Sequence, residues 1–390
     1  MTDVAIVGAS LAGVRVAESL RSAGFEGSVT LIGDEPHLPY DRPPLSKSTL
    51  AEPDSIPATF HDLTWYRDND VVLRLGERAR RLDVDHHTVH TDAGTVRYDE
   101  LVVATGAVPR TVFPDAPAGV FTLRTIDDAQ RIREAFRTAA RIVVVGGGFI
   151  GLEIASSARQ LGLDVTVIEL AAIPLSRNLG DSAAQPLVDL ARRHGVRVLC
   201  GRSVATLLGV PSVEAVALDD GTVLECDAVV VGVGAVPATA WLEGSGLELD
   251  RRGLICDATG RAGPHVWAAG DVCAWADTDG IPRRHEHWTS ATEQAAIVAH
   301  NIVSDDKRTL ASAQYVWSDQ FGARISIIGD TTSEAHLLPH SDDLAALYFR
   351  DDILVGACIV DQPRLMIRCR RWIATRSSRT DIDSLYPAVR

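Results

Sequence analysis

The chain has 390 residues and a formal net charge of −14, because 38 Lys and Arg residues face 52 Asp and Glu residues. This length predicts two or three domains of roughly 150 residues each. With 46% apolar and 23% charged residues, the composition is that of a globular protein and excludes a disordered or fibrous chain. The acidic balance argues against a uniformly nucleic-acid-binding surface.

Targeting, membrane and metal signals are not recognisable in the sequence. The start carries an acid at Asp3 and its apolar run is cut at Gly8, unlike a signal peptide. The most apolar stretch, residues 228–242, is interrupted by Gly and Pro and is too short to span a bilayer. The six cysteines form no C-x-x-C pair and no zinc ligand set. We therefore expect a cytoplasmic protein with buried cysteines, no metal site and no membrane or nucleic-acid partner.

The first 34 residues have the pattern of a strand, a glycine turn, a helix and a second strand. Val4–Val7 is a buried-strand run, and the helix carries Val14, Ala17 and Leu20 at core spacing. In such a turn, backbone amides approach a pyrophosphate and an acid after the second strand accepts the ribose hydroxyls. These roles fall on Gly8, Ser10, Leu11, Ala12, Gly13 and Asp34. Ser10 departs from the pattern, which has glycine at the middle position.

The same unit recurs after the strand Arg141–Val145, now with all three turn glycines. Its helix has a predicted core face at i, i+4, i+8 and i+11, formed by Ile150, Ile154, Ala158 and Leu161. Glu169 ends the next strand, where a carboxylate binds the ribose 2′-hydroxyl of NAD and repels the 2′-phosphate of NADP, so NADH is the predicted coenzyme. The predicted NAD-binding residues of this unit are Gly146, Gly148, Phe149, Ile150, Gly151, Glu169, Gly232 and Gly234.

Each half continues with a hairpin and a returning strand. The hairpin Thr88–Tyr98 precedes the strand Leu101–Ala104, and the hairpin Val213–Leu224 precedes the strand Ala228–Val233. Both returning strands lead to a glycine where a nucleotide would lie. The duplication predicts an α/β fold with two Rossmann-like domains and two bound dinucleotides.

Beyond the glycine turns, six sequence runs give the chain a family resemblance. It resembles the FAD-containing, NADH-dependent ferredoxin reductases that serve cytochromes P450 and Rieske-type oxygenases, the relatives of putidaredoxin reductase. The run Tyr40–Lys47, YDRPPLSK, is the most specific, and the similarity covers nearly the whole chain. Ser10 and Ala295 depart from the family pattern. The six runs are residues 33–47, 104–106, 146–153, 268–272, 286–288 and 317–320.

The resemblance implies a glutathione reductase-like arrangement with FAD and NADH as cofactors. Residues 1–108 and 240–309 would form a split FAD-binding domain, with the NAD-binding domain at 109–239 and a C-terminal α/β domain at 310–390. The proline-rich stretch Pro109–Pro117 would be the linker at the first crossing. FAD would take hydride from NADH and pass single electrons to a 2Fe–2S ferredoxin, so no protein nucleophile or general base is required.

The resemblance also assigns individual residues to FAD. Asp34, with Glu35 as the alternative, would hold the adenosine ribose, and Arg42 the pyrophosphate. Asp271 would contact the ribityl chain or the phosphates, although an acid after glycine can also be an ordinary helix N-cap. The other residues expected at FAD are Pro44, Lys47, Ala104, Thr105, Gly106, Arg110, Val272, Glu286, His287 and Trp288.

Four residues are predicted to be catalytic. By resemblance, Lys47 and Glu153 form an ion pair beside flavin N5, and Glu153 also belongs to the NADH-binding helix. Trp288 lies at the start of a predicted helix, residues 286–302, whose free amides would face the flavin. Trp317 would shield the flavin edge and shorten the electron path to a partner. The ordinary alternatives are a surface lysine, a first-turn glutamate favoured by the helix dipole and core tryptophans.

Six arginines and no acid occur between residues 364 and 379, a local reversal of the net charge. This segment, through Arg364, Arg368, Arg370 and Arg371, is a candidate docking face for an acidic ferredoxin. A solvated helix face with ordinary ion pairs explains the arginines equally well. Because no cysteine precedes Cys200, thiol-based reductases of this scaffold are disfavoured. Rubredoxin as the acceptor and a redox-sensing protein like apoptosis-inducing factor remain the alternative functions.

Overall fold

The structure is a computed structural model that describes residues 2–277, 279–310, 314–338 and 344–385. The chain forms two compact units. The first comprises residues 1–41, 58–108 and 235–311, and the second comprises residues 42–57, 109–234 and 312–390. The three-domain boundaries given above stay a prediction.

The first part of the chain alternates strands with short helices. The first strand is fully buried, and the first helix ends at Ser22, shortly before Gly24 takes a left-handed φ of +77°. The elements are β1 (Val4–Val7), α1 (Leu11–Ser22), β2 (Val29–Gly33), a 3₁₀ turn (Pro43–Ser46), α2 (Ser48–Ala51), α3 (Leu63–Asp68), β3 (Val71–Leu75), β4 (Ala79–Asp83), β5 (Thr88–Thr91), β6 (Gly94–Arg97), β7 (Glu100–Val103) and β8 (Ala107–Pro109).

The middle of the chain repeats this order of elements. Its first helix begins with a capping box in which Thr125 accepts the Asp128 N–H and Asp128 accepts the Thr125 N–H. The elements are β9 (Val120–Thr122), α4 (Ile126–Thr138), β10 (Arg141–Val145), α5 (Phe149–Gln160), β11 (Asp164–Glu169), α6 (Ser176–Arg193), β12 (Arg197–Cys200), β13 (Val204–Leu208), β14 (Ala215–Leu218), β15 (Val223–Glu225) and β16 (Ala228–Val231).

The last part contains short strands, one long helix and an antiparallel sheet. The elements up to the long helix are β17 (Ala235–Pro237), a 3₁₀ turn (Ala240–Leu242), β18 (Leu249–Asp250), β19 (Gly253–Cys256), β20 (Arg261–Gly263), β21 (Val266–Ala268), β22 (Cys273–Ala276), β23 (Pro282–Arg284) and α7 (Trp288–Val303). The remaining elements are β24 (Tyr315–Gln320), β25 (Ala323–Gly329), β26 (Ala335–Leu337), β27 (Ala345–Arg350), β28 (Ile353–Val360), α8 (Pro363–Ala374) and α9 (Arg379–Leu385).

The first unit is built on a six-stranded sheet in the order β20-β21-β7-β1-β2-β3. Strand β1 lies in the middle and pairs in parallel with β2 and β7, so Val4 is opposite both Val29 and Glu100. Helix α7 packs against α1, and the predicted hairpin forms part of the small sheet β4-β5-β6. The carboxyl ends of β1, β2 and β7 therefore meet at one edge, where a dinucleotide binds in such folds.

The second unit has the corresponding sheet, in the order β12-β11-β10-β16-β9. Here β10 pairs in parallel with β11 and β16. The same unit contains the antiparallel sheet β24-β25-β28-β27-β26, on which α8 packs through β28. The predicted α/β fold, with two Rossmann-like sheets and a C-terminal α/β part, is confirmed.

Two details of the predicted helices are wrong. In α5, Ile154 and Ala158 are buried, but Ile150 is 53% exposed and Leu161 is 42% exposed. Leu152 and Ala155 are buried instead, because α5 packs against α2 and β24 as well as against its own sheet. The other error is the start of α7, which begins at Trp288 and not at residue 286.

Candidate cofactor and active sites

The glycine turn of the first unit closes tightly on the returning strand. Gly8 has a φ of +122°, and a Cβ added there would lie 2.1 Å from the Ala104 carbonyl oxygen. A Cβ on Gly13 would lie 2.0 Å from the Gly8 oxygen. Ser10 is the N-cap of α1, whose first turn has no side-chain cap and no acid. The amides of Leu11 and the residues after it are thus left for an anionic ligand.

The two candidate ribose acids differ in their surroundings. Asp34 is exposed directly after β2, whereas the Glu35 carboxylate accepts a hydrogen bond from the Tyr40 hydroxyl at 2.5 Å. On the returning chain, the Thr105 hydroxyl donates to the Ala238 carbonyl at 3.0 Å. Gly106 has a φ of +69°, which favours glycine. The structure brings Asp34 and Ala104 to the edge that carries the glycine turn.

A buried donor without a partner lies next to Asp271. Gln294 of α7 accepts the Gly270 N–H at 2.8 Å through Oε1, while its buried Nε2 has no hydrogen-bond partner among the described residues. A Cβ on Gly270 would lie 3.2 Å from the Ala12 Cβ. Asp271 therefore follows a glycine that lies close to the start of α1. An unpaired donor and open helix amides fit a ligand rich in acceptor oxygens, as FAD is. Val272, in contrast, is in the core and exposes no side chain.

The start of α7 places three predicted residues together. His287 is the N-cap, and the Trp288 indole N–H donates to Asp41 at 2.9 Å. Glu286 is exposed and pairs with Arg284 at 2.5 Å. Burial lowers the pKa of His285 to about 4, and it also lowers the pKa of His287 against the opposing charge of Asp271. Both imidazoles are therefore neutral at pH 7 and add no positive charge to that of the helix amides.

Four of the residues predicted for FAD, Lys47 among them, belong to the second unit. Arg42 precedes the 3₁₀ turn and donates from Nη1 to the Arg124 carbonyl at 2.6 Å. Pro44 lies within that turn. Arg110 has an exposed side chain, and its N–H donates to the Gly234 carbonyl at 3.0 Å.

The second glycine turn has one tight side and one open side. A Cβ on Gly146 would lie 2.4 Å from the Gly232 oxygen, and one on Gly151 would lie 2.1 Å from the Gly146 oxygen. A Cβ on Gly148, the N-cap of α5, would meet nothing within 4 Å. Phe149 and the exposed Ile150 follow it at the start of the helix. The space around Gly148 and the uncapped amides of α5 fit the pyrophosphate of NADH.

Glu169 is held rigidly at the end of β11. Its Oε2 accepts the Gly147 N–H and its Oε1 accepts the Ala171 N–H, each at 2.7 Å. The side chain is half-buried, and each oxygen keeps a lone pair for a further hydrogen bond. This orientation suits a pair of ribose hydroxyls and disfavours a phosphate.

Lys47 and Glu153 lie in contact within the second unit. Lys47 Nζ is 2.9 Å from Glu153 Oε2, and the side chains are 22% and 6% exposed. Two serines also bind this carboxylate: Ser46 donates to Oε2 and Ser318 donates to Oε1, each at 2.5 Å. Glu153 is thus a buried carboxylate with one cation and two hydroxyl donors.

The sequence did not single out Ser46, Ser318 or Gln320 as site residues. Gln320 belongs to this group because its Nε2 donates to the Ser318 hydroxyl at 2.9 Å. The available signal was their position inside two of the family-like runs, next to Lys47 and Trp317. Trp317 itself is half-buried, stacks with Tyr315 at a centroid distance of 6.0 Å and lies under the Arg324 guanidinium.

Residues 364–374 of the arginine-rich segment lie in α8, whereas Arg376 follows the helix and Arg379 begins α9. Leu365, Cys369 and Trp372 form the buried face of α8, while the arginines of this helix point outward. In the described part of the chain, neither Arg364 nor Arg371 is ion-paired. The exposed arginines of the helix are Arg364, Arg368, Arg370 and Arg371.

Thiols and metal ligands do not form a site in the described chain. Five of the six free cysteines are buried and Cys200 is half-buried. Burial raises the pKa of Cys226 to about 11 and the pKa values of Cys358 and Cys369 to about 12. Among the residues described, no group of three or more His, Cys, Asp or Glu side chains could hold a metal ion, and no helix is long and apolar enough to cross a membrane.

Two family models cover most of the chain. Residues 2–295 match the family described as pyridine nucleotide-disulphide oxidoreductase, and residues 315–388 match the family described as reductase C-terminal.

Similar proteins cover nearly the full length on both sides. The ferredoxin reductase component of chlorobenzene dioxygenase from Cupriavidus sp. (strain PS12) is 36% identical, over 97% of this chain and 93% of its own length. Terpredoxin reductase from Pseudomonas sp. is also 36% identical, over 96% and 93%. Among solved structures, a ferredoxin reductase from Rhodopseudomonas palustris has a TM-score of 0.91 at 32% identity, covering 97% of this chain and 96% of its own.

These matches confirm the predicted family resemblance, the oxidoreductase assignment and the use of FAD and NAD(H). The chain therefore belongs to the pyridine nucleotide-disulphide oxidoreductase family, with the reductase C-terminal domain added to its two dinucleotide-binding parts.

Proposed function

We propose that this chain is an NADH-dependent ferredoxin reductase that supplies single electrons, through a 2Fe–2S ferredoxin, to a cytochrome P450 or Rieske-type oxygenase. The observation that carries this proposal is the presence of two dinucleotide turns in a chain whose first cysteine is Cys200. The lack of a cysteine before Cys200 disfavours the thiol-based reductases of this scaffold, and the electrons would then leave to another molecule. The names of the relatives support a ferredoxin as that molecule.

We propose that the two turns bind different dinucleotides. The turn at residues 8–13, with Asp34, Ala104 to Gly106 and Asp271, would hold FAD. Arg42, Pro44 and Arg110 are further residues that we propose for FAD. The turn at residues 146–151 would hold NADH, with Glu169 on the adenosine ribose. When bound, FAD supplies the change from hydride acceptance to single-electron donation.

The chain's own groups would then orient the reactants and exclude water. Lys47 would present its ammonium to the reacting flavin edge, and Glu153 would balance that charge without entering a proton transfer. The start of α7, whose N-cap His287 makes no side-chain cap, would favour negative charge that develops near it. Trp317, half-buried and stacked with Tyr315, would lie on the side from which electrons leave.

We also propose that α8 docks the ferredoxin and that the chain works in the cytoplasm. The exposed arginines of α8 are complementary to an acidic partner on a chain that is itself strongly acidic. Six free cysteines are compatible with a reducing compartment. The boundaries proposed for the FAD-binding domain are 1–108 and 240–309, with 109–239 for NAD and 310–390 for the C-terminal domain.

The test is NADH-dependent reduction of cytochrome c by the FAD-bound protein, with and without a 2Fe–2S ferredoxin. We expect turnover to depend on ferredoxin and to saturate with its concentration. Direct reduction of ferricyanide by NADH is the control for an intact flavin site. Rapid flavin reduction with no stimulation by any 2Fe–2S ferredoxin would contradict the proposal and would make rubredoxin and NADH-induced dimerisation the next assays.

A further inference from the structure

The Glu153 carboxylate is surrounded by more donors than a single ion pair requires. Glu153 is 5% exposed and comes from α5, the helix that follows the second glycine turn. Ser46 and Lys47 approach Oε2 from the end of the 3₁₀ turn, and Ser318 approaches Oε1 from β24. Three separate chain segments therefore converge on one carboxylate, and both of its oxygens are occupied.

The hydrogen-bond directions in this cluster are determined by a second layer of contacts. Gln320 Nε2 donates to the Ser318 oxygen at 2.9 Å, so the single hydroxyl hydrogen of Ser318 is directed at Glu153. On the other side, the Ser157 hydroxyl donates to the Ser46 carbonyl at 2.7 Å. All four polar side chains other than that of Lys47 are at most 5% exposed: Ser46, Ser157, Ser318 and Gln320. The Ser318 hydroxyl is thus held in one orientation, and Ser157 holds the backbone that carries Ser46.

Because Ser46 and Ser318 also donate to the Glu153 carboxylate, Lys47 is not its sole donor among the described residues. Within the ranges that the structure describes, Lys47 Nζ has two acceptors, Glu153 Oε2 at 2.9 Å and the Pro43 carbonyl at 3.1 Å. An ammonium has three N–H groups, so one N–H remains for a bound ligand. Without Ser318, Oε1 would lose its donor, and a buried carboxylate in that condition rotates toward the nearest remaining cation. That cation is Lys47.

We propose that Ser46 and Ser318 are positioning residues for hydride transfer. They hold both oxygens of Glu153 so that the third N–H of Lys47 stays directed at the reacting flavin edge. This inference rests on the proposed function, which gives Lys47 and Glu153 their place beside the flavin. It adds a link from β24, the strand that carries Trp317, to the helix that binds NADH.

The test compares Ser318→Ala and Ser46→Ala with the parent protein, in both the Glu153 and the Glu153→Gln background. The measurements are the anaerobic single-turnover rate of flavin reduction by NADH, the NADH dissociation constant, the flavin midpoint potential against a reference dye and the thermal unfolding midpoint. We expect each serine variant to reduce its flavin about 10-fold to 100-fold more slowly, the loss that accompanies misplacement of a reacting group. The dissociation constant for NADH should change by less than about twofold, because ground-state binding is preserved.

The Glu153→Gln background distinguishes positioning from general damage. If the serines act through the carboxylate, adding Ser318→Ala to Glu153→Gln slows reduction by no more than about twofold further, since partners in one network are not additive. The midpoint potential should behave in the same way. Ser318→Thr, which keeps the hydroxyl, should restore the rate to within about threefold of the parent protein.

Thr49→Val is the matched control. Thr49 is 1% exposed, lies two residues after Lys47 in α2, and its hydroxyl has no hydrogen-bond partner among the described residues. Its loss should leave the reduction rate unchanged. An unchanged rate in both serine variants, or an equal loss in both Glu153 backgrounds, would overturn the proposal. If Ser318→Ala does not retain FAD, the reduction rates of Ser46→Ala in the Glu153 and Glu153→Gln backgrounds test the proposal.

No ferredoxin enters these assays, so the two proposals can fail separately. Normal flavin reduction by the parent protein without ferredoxin-dependent turnover would remove the proposed acceptor and leave the serine result standing.

Discussion

Glu169 has a structural role in the turn, and we propose for it a second role in coenzyme choice. Its two oxygens accept the N–H groups of Gly147 and Ala171, which fixes the carboxylate at the end of β11. The next residue, Leu170, is 65% exposed and brings no charge to the site. A fixed carboxylate repels a 2′-phosphate, so the local electrostatics favour NADH.

Replacing this pair should reverse the coenzyme preference. In Glu169→Ala/Leu170→Arg, we expect the ratio of kcat/KM for NADPH to that for NADH to rise on the order of 100-fold, since one repulsion is removed and one phosphate contact is added. Steady-state ferricyanide reduction with both coenzymes measures the ratio. Leu170→Ala is the control and should keep the preference for NADH. Retention of that preference in the double variant would mean that Glu169 does not face the ribose.

The glycine turn before α5 contains one glycine that close packing requires and, three residues earlier, one that borders open space. Gly151 lets the helix approach the strand, because a Cβ there would lie 2.1 Å from the Gly146 oxygen. Gly148 has an ordinary φ of −71° and open space around its Cβ position. The two glycines are therefore needed for different reasons, one by the fold and one by the proposed dinucleotide.

Alanine at these two positions should change different properties: stability at Gly151 and NADH binding at Gly148. Gly151→Ala should lower the thermal unfolding midpoint by roughly 3–10 °C, the size expected for overpacking in a chain of this length. Gly148→Ala should leave the midpoint unchanged and weaken NADH binding about 10-fold or more, because its methyl group occupies the pyrophosphate space. Calorimetry and titration with NADH measure both effects. A Gly148→Ala protein with unchanged NADH affinity would contradict the proposed binding mode.

The charge of the whole molecule makes α8 unusual. A chain with a net charge of −14 repels an acidic partner at long range, so a productive encounter requires a local patch of the opposite sign. The outward arginines of α8 form such a patch on the C-terminal sheet, and Arg370 also lies over the Tyr315 ring at 5.8 Å.

Charge reversal on α8 should affect the partner reaction alone. In Arg370→Glu/Arg371→Glu, we expect the KM for ferredoxin to rise about 10-fold at low salt and to lose most of its dependence on ionic strength. NADH-dependent reduction of ferricyanide should not change. The matched control is Arg192→Glu/Arg193→Glu, which alters the net charge equally on exposed positions of α6. A parallel loss of ferredoxin and ferricyanide activity would contradict docking through α8.

The dinucleotide turns were predictable from the sequence because their determinants are local. Glycines, an apolar strand and a terminal acid lie within about 35 residues of one another, and the chemistry of phosphate and ribose requires that spacing. The duplicated order of Gly8 to Asp34 and Gly146 to Glu169 was enough to predict both sheets. Helix faces were less predictable, as Ile150 and Leu161 illustrate, because burial depends on every neighbour of the helix and not on its own sheet alone.

The side chains that surround Glu153 could be identified only from the folded structure. Ser46 and Ser318 lie 107 and 165 positions away from it along the chain, and no periodicity or spacing relates residues so far apart. A serine hydroxyl is compatible with a surface, a turn or a core, so its sequence neighbours do not reveal its partner. The buried carboxylate acquires its donors because the 3₁₀ turn Pro43–Ser46 and β24 both pack against α5, and the requirement to satisfy a buried charge selects which side chains meet there.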